Sequence, residues 1–156
     1  MTASNIVNVK SGAEIYTTKD QGIAMNGAAT VKVASGASVT GREAIGVKRG
    51  TLDIAGGDFK AVGEYVTPNT KNGNGTDKSG AVIAVTDTYA GFGKINVSIK
   101  GGTFVEETAA SAIYVENGTY AVDPSISVTG GNFSSDPSAY VASGYAVSDN
   151  GDGSVP

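Results

Sequence analysis

Residues 52–59 read LDIAGGDF, residues 97–104 read VSIKGGTF, and residues 126–133 read ISVTGGNF. Each stretch contains an apolar–polar–apolar triplet, then a Gly-Gly pair, then a phenylalanine. Such alternation is typical of a strand with one buried face, and paired glycines mark a turn. The recurrent order of strand, turn and large apolar residue indicates that the chain is built from an internal repeat.

Two weaker copies of this unit occur nearer the N-terminus, where Ser-Gly replaces Gly-Gly and an aliphatic residue replaces phenylalanine. The first copy consists of Val7, Val9, Ser11, Gly12 and Ile15, and the second of Val31, Val33, Ser35, Gly36 and Val39. The five units begin 24, 21, 45 and 29 residues apart, and the long interval holds an insertion at residues 61–79. Without the insertion, the period lies in the twenties.

A further short apolar strand follows in four of the five units. These strands are Ile23–Met25, Ile45–Val47, Ile83–Val85 and Ile113–Val115. Coils of two or three short strands cannot bury their apolar side chains alone, but stacked coils pair each strand with its copies about 4.8 Å above and below. The repeat therefore predicts an all-β fold, a right-handed parallel β-solenoid of about five coils in a single domain.

The repeat also predicts which residues stack on one another inside the solenoid. One predicted ladder is Val9, Val33, Ile54, Ile99 and Val128, and a second is Ile15, Val39, Phe59, Phe104 and Phe133. Asp53 falls at an outward position beside Lys32 of the preceding coil, which predicts an ion pair between them. A β-sandwich with short strands is the alternative fold, although sandwiches do not usually repeat this order of features.

The C-terminal part, about residues 136–156, departs from the repeat that fills about residues 5–135. Asp136 is a candidate N-cap, Pro137 suits the first helical position, and Gly144 suits a helix end, which together predict a short helix. Tyr145–Val147 then alternates into Asp149–Gly153, a strong hairpin turn signal. This segment is expected to cover the last coil, whereas no comparable cap is visible before Asn5.

Residues 130–153, GGNFSSDPSAYVASGYAVSDNGDG, resemble the terminal cap of right-handed parallel β-helix repeats. Such repeats occur in large surface proteins of gut-type Gram-positive bacteria and in phage structural proteins. Upstream, the Gly-Gly-x-Phe steps carry the resemblance. It implies a structural or adhesive role at a cell surface or virion, outside the cell, and supplies no catalytic residues.

The composition argues against several classes of function. The chain has 156 residues, no histidine and no cysteine, so it lacks the commonest general base and thiolate metal ligands. A net charge of −4 disfavours electrostatic binding of nucleic acid. No apolar run approaches the length of a membrane span. We expect neither a cofactor nor a metal, although Asp149 and Asp152 leave open a weak calcium site in the predicted hairpin.

Few residues suit catalysis. Polysaccharide lyases on this fold combine clustered carboxylates with a basic proton acceptor, whereas this chain offers only Arg42 and Arg49, which we expect near one corner. Glu106 and Glu107 form the sole acidic pair, and strand alternation predicts that they point apart in a solvated loop. The protein is therefore not expected to be an enzyme.

Binding is expected in the loops, since coil residues are constrained by stacking. Exposed aromatic, amide and amine groups in two loops and on the coil after them suit sugars or a host or cell-surface protein; they are Tyr65, Asn69, Lys71, Asn72, Tyr89, Phe92 and Tyr120. The main hypothesis is a non-catalytic module that presents these loops. The alternatives are a carbohydrate-binding or polysaccharide-lyase-like module and a fibre subunit that associates end to end.

Overall fold

The computed structural model describes residues 5–63, 79–86, 93–108, 111–116, 123–148 and 154–155. Equivalent segments of successive repeats pair side by side and form three sheets. Sheet A contains β1 (Asn5–Val9), β4 (Ala29–Val33), β7 (Gly50–Ile54), β10 (Ile95–Ile99) and β13 (Ser125–Val128), paired in that order. Sheet B contains β2 (Glu14–Tyr16), β5 (Ser38–Gly41), β8 (Asp58–Ala61), β11 (Thr103–Glu106) and β14 (Gly131–Phe133), and ends with β15 (Ser154–Val155). Sheet C contains β3 (Ile23–Met25), β6 (Ile45–Val47), β9 (Ile83–Thr86) and β12 (Ile113–Glu116).

The chain passes through sheets A, B and C in turn and then returns to sheet A one step further along the stack. All pairs between coils are parallel, and only β15 pairs antiparallel, with β14. The fold is thus a parallel β-solenoid of five coils, as the repeat predicts. Each of the first four coils has three strands, because the large apolar residue after the glycine step lies in a strand of its own.

Both predicted core ladders are confirmed. In sheet A, Val33 pairs with Val9 and Ile54, and Ile99 pairs with Ile54 and Val128. In sheet B, the ladder runs in register from Ile15 to Phe133, in the predicted order. The three phenylalanine rings stack nearly parallel, with centroids 4.9 Å apart between Phe59 and Phe104 and 4.5 Å between Phe104 and Phe133.

The outward rows of sheet A are polar, but one predicted contact is wrong. Asp53 and Lys32 are neighbours in the register, yet the Asp53 carboxylate accepts from the Lys100 ammonium at 2.9 Å. Lys100 lies in the next coil, just after β10. Lys32 lies in the coil before Asp53 in direct register with it, whereas the register partner in the next coil is Ser98 and Lys100 lies two residues further on. Side-chain geometry therefore decides which cation pairs with the carboxylate.

The ends of the predicted insertion belong to the framework of the coils. Ala61 is the last residue of β8 and is fully buried, and Ser79 is also buried. The Val62 and Gly63 amides donate to carbonyls of the preceding coil, at Gly41 and Arg42. The segment outside the coil framework is therefore shorter than 61–79, because pairing and burial extend past Ala61 and resume at Ser79.

The C-terminal segment covers the last coil with the predicted short helix, which is a single turn and ends before Gly144. Ser138–Tyr140 form a single 3₁₀ turn. The Asp136 carboxylate accepts from the Ser138 amide at 2.9 Å, as an N-terminal cap would, but Val141 is extended and bridges Val128 of β13. The Ala142 amide donates to the Val128 carbonyl at 2.9 Å. Pairing with sheet A thus ends the helix after one turn.

The predicted hairpin strand at Tyr145–Val147 is not formed, since residues 145–148 are not in a strand. Instead, β15 runs back along the edge of β14, where Val155 pairs with Gly131 and Ser154 with Asn132. The predicted turn residues Asp149–Gly153, including the candidate calcium ligands Asp149 and Asp152, lie outside the described residues.

Candidate functional site

The predicted binding residues all lie outside the described part of the chain. Tyr65, Asn69, Lys71 and Asn72 fall within 64–78, Tyr89 and Phe92 within 87–92, and Tyr120 within 117–122. What the structure does describe is the framework on either side of these segments. Gly63 and Ser79, which flank the longest of them, both contact the corner formed by Arg42 and Glu43.

A buried carboxylate lies at this corner. Glu43, between β5 and β6, has no exposed surface. One carboxylate oxygen accepts from the Gln21 side-chain amide at 2.6 Å, and the other accepts from both the Ser79 amide at 2.7 Å and the Ser79 hydroxyl at 2.5 Å. Gln21 belongs to the first coil, Glu43 to the second and Ser79 to the third. The carboxylate thus links three successive coils.

The chemistry of this cluster is that of a structural link. A buried carboxylate is costly unless hydrogen bonds replace its water, and hydrogen bonds to a charged acceptor are among the strongest in proteins. Both oxygens of Glu43 are engaged by donors of two other coils. Two of these donors belong to Ser79, so the carboxylate fixes the position at which the chain rejoins the solenoid.

The local sequence allows the chain to approach this closely. A Cβ atom at Gly41 would lie 2.2 Å from the Glu43 carbonyl oxygen and 2.5 Å from the Gly22 nitrogen. Any side chain at this position would collide with the backbone on both sides. The Gly41-Arg42-Glu43 corner is therefore tight, and it turns Glu43 toward its donors.

The two arginines do not share a corner, contrary to the prediction. Arg42 precedes β6 and Arg49 follows it. Since a strand advances about 3.3 Å per residue, the intervening strand separates the two residues toward opposite ends of sheet C. Arg42 instead lies at 4.0 Å from the Asp20 carboxylate of the first coil. The two guanidinium groups therefore do not line one site.

The neighbouring positions on sheet C are also buried. Lys48 and Thr86, which follow the inward residues of β6 and β9, are 1% and 0% exposed. The outward Gly46 and Ala84 are buried too. The Gln21 side chain covers Gly46, because a Cβ atom there would lie 2.2 Å from the Gln21 nitrogen. In the middle coils, sheet C therefore has no open outer face.

The acidic pair Glu106 and Glu107 is divided between two partners. Glu107 forms an ion pair with Lys60 at 2.8 Å, and both side chains are about half exposed. Glu106 accepts from the Ser134 hydroxyl of the next coil.

Within the described residues, no group of three or more histidine, cysteine, aspartate or glutamate side chains could hold a metal ion. No helix in that part of the chain is long and apolar enough to cross a membrane.

Sequence reasoning missed the cluster of Gln21, Glu43 and Ser79. Its members are 22 and 36 residues apart in the chain, so no local motif connects them. A signal was nevertheless present, because Gln21 and Glu43 both lie two residues before an aligned isoleucine, Ile23 or Ile45. Polar residues at one register position just before an apolar strand can meet across neighbouring coils.

Comparison with known proteins adds no assignment. The chain matches no family model, no curated protein and no solved structure.

Proposed function

We propose that this chain is a non-catalytic β-solenoid module of a bacterial cell surface or virion that holds loop segments for binding a glycan or a surface protein. The resemblance of residues 130–153 to β-helix repeats of such proteins supports the proposed location at a cell surface or virion. The proposal places binding in segments that interrupt the repeat and gives the coils the role of a rigid support.

One observation carries this proposal: the residues on either side of segment 64–78 are fixed in the coil framework. On one side, Ala61 is fully buried and the Gly63 amide donates to the Arg42 carbonyl at 3.1 Å. On the other, Ser79 donates two hydrogen bonds to the buried Glu43. A segment that starts and ends at fixed points loses less conformational entropy on binding a partner than one on a flexible tether, which favours affinity.

The test is to replace residues 64–78 by a short Gly-Ser linker that keeps Gly63 and Ser79. This variant is expected to retain the far-UV circular dichroism spectrum and a cooperative unfolding transition. It is also expected to lose binding to at least one of the ligands that the wild-type chain selects on a glycan array or from purified surface proteins.

The matched control replaces 61–79 by the same linker. It removes the buried Ala61 and both Ser79 hydrogen bonds to Glu43, so its melting temperature is expected to fall further than that of the first variant. If the 64–78 variant does not fold, the segment supports the coils and the proposal fails. If that variant folds and still binds every wild-type ligand, binding resides elsewhere.

A further inference from the structure

A shallow groove of about 370 Å³ crosses the outer face of sheet A over the first three coils. Ala34 and Ala55 lie along it at equivalent positions, since each donates its amide to the inward valine of the preceding coil, Val9 or Val33. Lys10 and Lys32 line the groove together with Asn8 and Asp53. Small side chains in the middle leave a channel, and longer polar side chains border it.

The charge of this groove is opposite to that of the molecule. The whole chain carries −4, yet two of the charged residues that line the groove are lysines and the third is Asp53. Asp53 is already neutralised by Lys100 at 2.9 Å. Lys10 and Lys32 are exposed, and the described residues provide no ion pair for either. The groove therefore presents two ammonium groups that pair with no carboxylate among the described residues.

The remaining groups suit a sugar chain. The alanines offer small apolar contacts for the C–H face of a pyranose ring, and Asn8 can donate to and accept from hydroxyls. Thr30 and Thr51, which pair with each other on the same outer face, add hydroxyl groups nearby. Since neighbouring coils are about 4.8 Å apart, three coils span roughly a disaccharide. A nucleic acid would instead require a broad basic surface to release counterions.

We propose that the groove bordered by Lys10 and Lys32 binds a short segment of an acidic polysaccharide, with carboxylate or sulfate groups on the two ammonium groups and ring faces over Ala34 and Ala55. This site is lined by coil residues and includes no residue of the loop segments of the proposed function. Its ligand would lie along the stack and contact several coils.

The proposal is tested by isothermal titration calorimetry with a tetrasaccharide of galacturonic acid and with a heparin tetrasaccharide, which separate the carboxylate from the sulfate source. Maltotetraose is the neutral probe. At least one acidic probe is expected to bind with a Kd of about 1 mM or below, more weakly as salt is raised. Maltotetraose is expected to bind at least about threefold more weakly.

The decisive variant is Lys10→Gln/Lys32→Gln, which should weaken binding of the acidic probe by about three- to tenfold, because each exposed charge contact is modest. The control is Lys19→Gln/Lys94→Gln, which changes the net charge equally at exposed lysines outside the groove. It should retain wild-type affinity. All four side chains are exposed, so both variants should melt at the wild-type temperature.

Several results would overturn the proposal. Equal losses of affinity in the two double variants would show attraction by net charge alone. If neither acidic probe binds, the groove does not recognise an acidic sugar. Tighter binding to vesicles of anionic phospholipid, or to a single-stranded oligonucleotide, would assign the groove to another class of partner. Unchanged affinity of the Lys10→Gln/Lys32→Gln variant would place any sugar site elsewhere.

Discussion

Asp53 and Ile54 are adjacent in the chain but lie in opposite environments. Ile54 is fully buried within the sheet A ladder, whereas the Asp53 side chain is 33% exposed and forms a surface ion pair with Lys100. The pleat of the strand sends neighbouring side chains to opposite faces. The effect of a substitution should therefore depend more on the face than on the residue type introduced.

We expect Ile54→Asp to prevent folding, since an unpaired charge among Val33, Ile99 and their neighbours would cost several kcal/mol, a large part of the usual stability of about 5–15 kcal/mol. Ile99→Asp should do the same. Asp53→Ser should cost only about 0.2–1 kcal/mol. Urea denaturation followed by circular dichroism measures all three. A larger loss for Asp53→Ser than for Ile54→Asp would invert the assignment of faces.

Tyr140 provides a second single-residue effect, in alkali. Burial against the last coil raises the pKa of its phenol above the ordinary value of 10.0. Above pH 10 the unfolded chain therefore loses this proton more readily than the folded chain, so the free energy of unfolding should fall as pH rises. Well below pH 10, where the phenol is protonated in both states, the group should have no effect on the pH dependence.

Tyr140→Phe is expected to reduce the loss of stability between pH 9 and pH 11, measured as the shift of the urea midpoint with pH. The wild-type chain is the reference, because it differs from the variant only in the Tyr140 hydroxyl. Parallel pH profiles for the two proteins would show that the Tyr140 phenol is equally accessible in the folded and unfolded states.

At the scale of the element, the glycine step between sheets A and B determines how the coils stack. Gly57, Gly102 and Gly131 have positive φ angles of 118°, 117° and 127°, and the Gly57 carbonyl accepts from Thr103 of the next coil. A Cβ atom at Gly102 would lie 2.8 Å from the Gly57 carbonyl oxygen. The corner therefore excludes side chains for a conformational reason and for a steric one.

Gly102→Ala is expected to destabilise the fold by about 2 kcal/mol or more, since a left-handed backbone alone costs roughly 1–2 kcal/mol for a residue with a side chain. Gly27→Ala is the control, because its Cβ atom would meet nothing within 4 Å, and its effect should stay within about 0.5 kcal/mol. Thermal or urea unfolding compares the two. Equal effects would mean that the corner at Gly102 can relax.

The strands of sheets A and C and both core ladders could be predicted from the sequence, because period-two alternation and the glycine steps are local signals. The strands of sheet B were predicted only as single large apolar residues, since each contributes few residues to the core. Local signals could not predict three features: the hydrogen bonds of Glu43, the ion pair between Asp53 and Lys100, and the end of the helix after Tyr140. Each depends on side chains or strands that meet only after the coils have stacked, so competing partners cannot be ranked from spacing alone. The predicted loop residues remain predictions, since none lies in the described part of the chain.

At the scale of the whole molecule, the two ends of the stack differ. The last coil is covered by β15, the 3₁₀ turn and the bridge from Val141 to Val128. In the first coil, Ile6 and Val7 are 51% and 52% exposed, whereas Val31, the partner of Val7 in the second coil, is 5% exposed. Exposed apolar residues on a strand edge favour association with another strand, which keeps an end-to-end fibre subunit as the second candidate function.

If two copies associate through β1, sedimentation velocity should show a concentration-dependent oligomer, and Val7→Glu should abolish it. Val105→Glu is the control, because Val105 is also exposed, at 39%, but lies on the outer face of sheet B. A monomer at every concentration up to the solubility limit would exclude this association. Equal loss of the oligomer in both variants would show that any added charge disperses it.

The stacking of coils also determines how the protein would respond to mechanical force. Hydrogen bonds between coils run along the stack, so tension on the two ends would load the coil interfaces in series and the weakest would open first. Three sheets join the third coil to the fourth, but in the described residues only sheets A and B join the fourth to the fifth. A stretched molecule would therefore begin to unravel at its covered end, because β15 and the bridge at Val141 pair with the far side of the fifth coil and add no strand pairing between the fourth coil and the fifth.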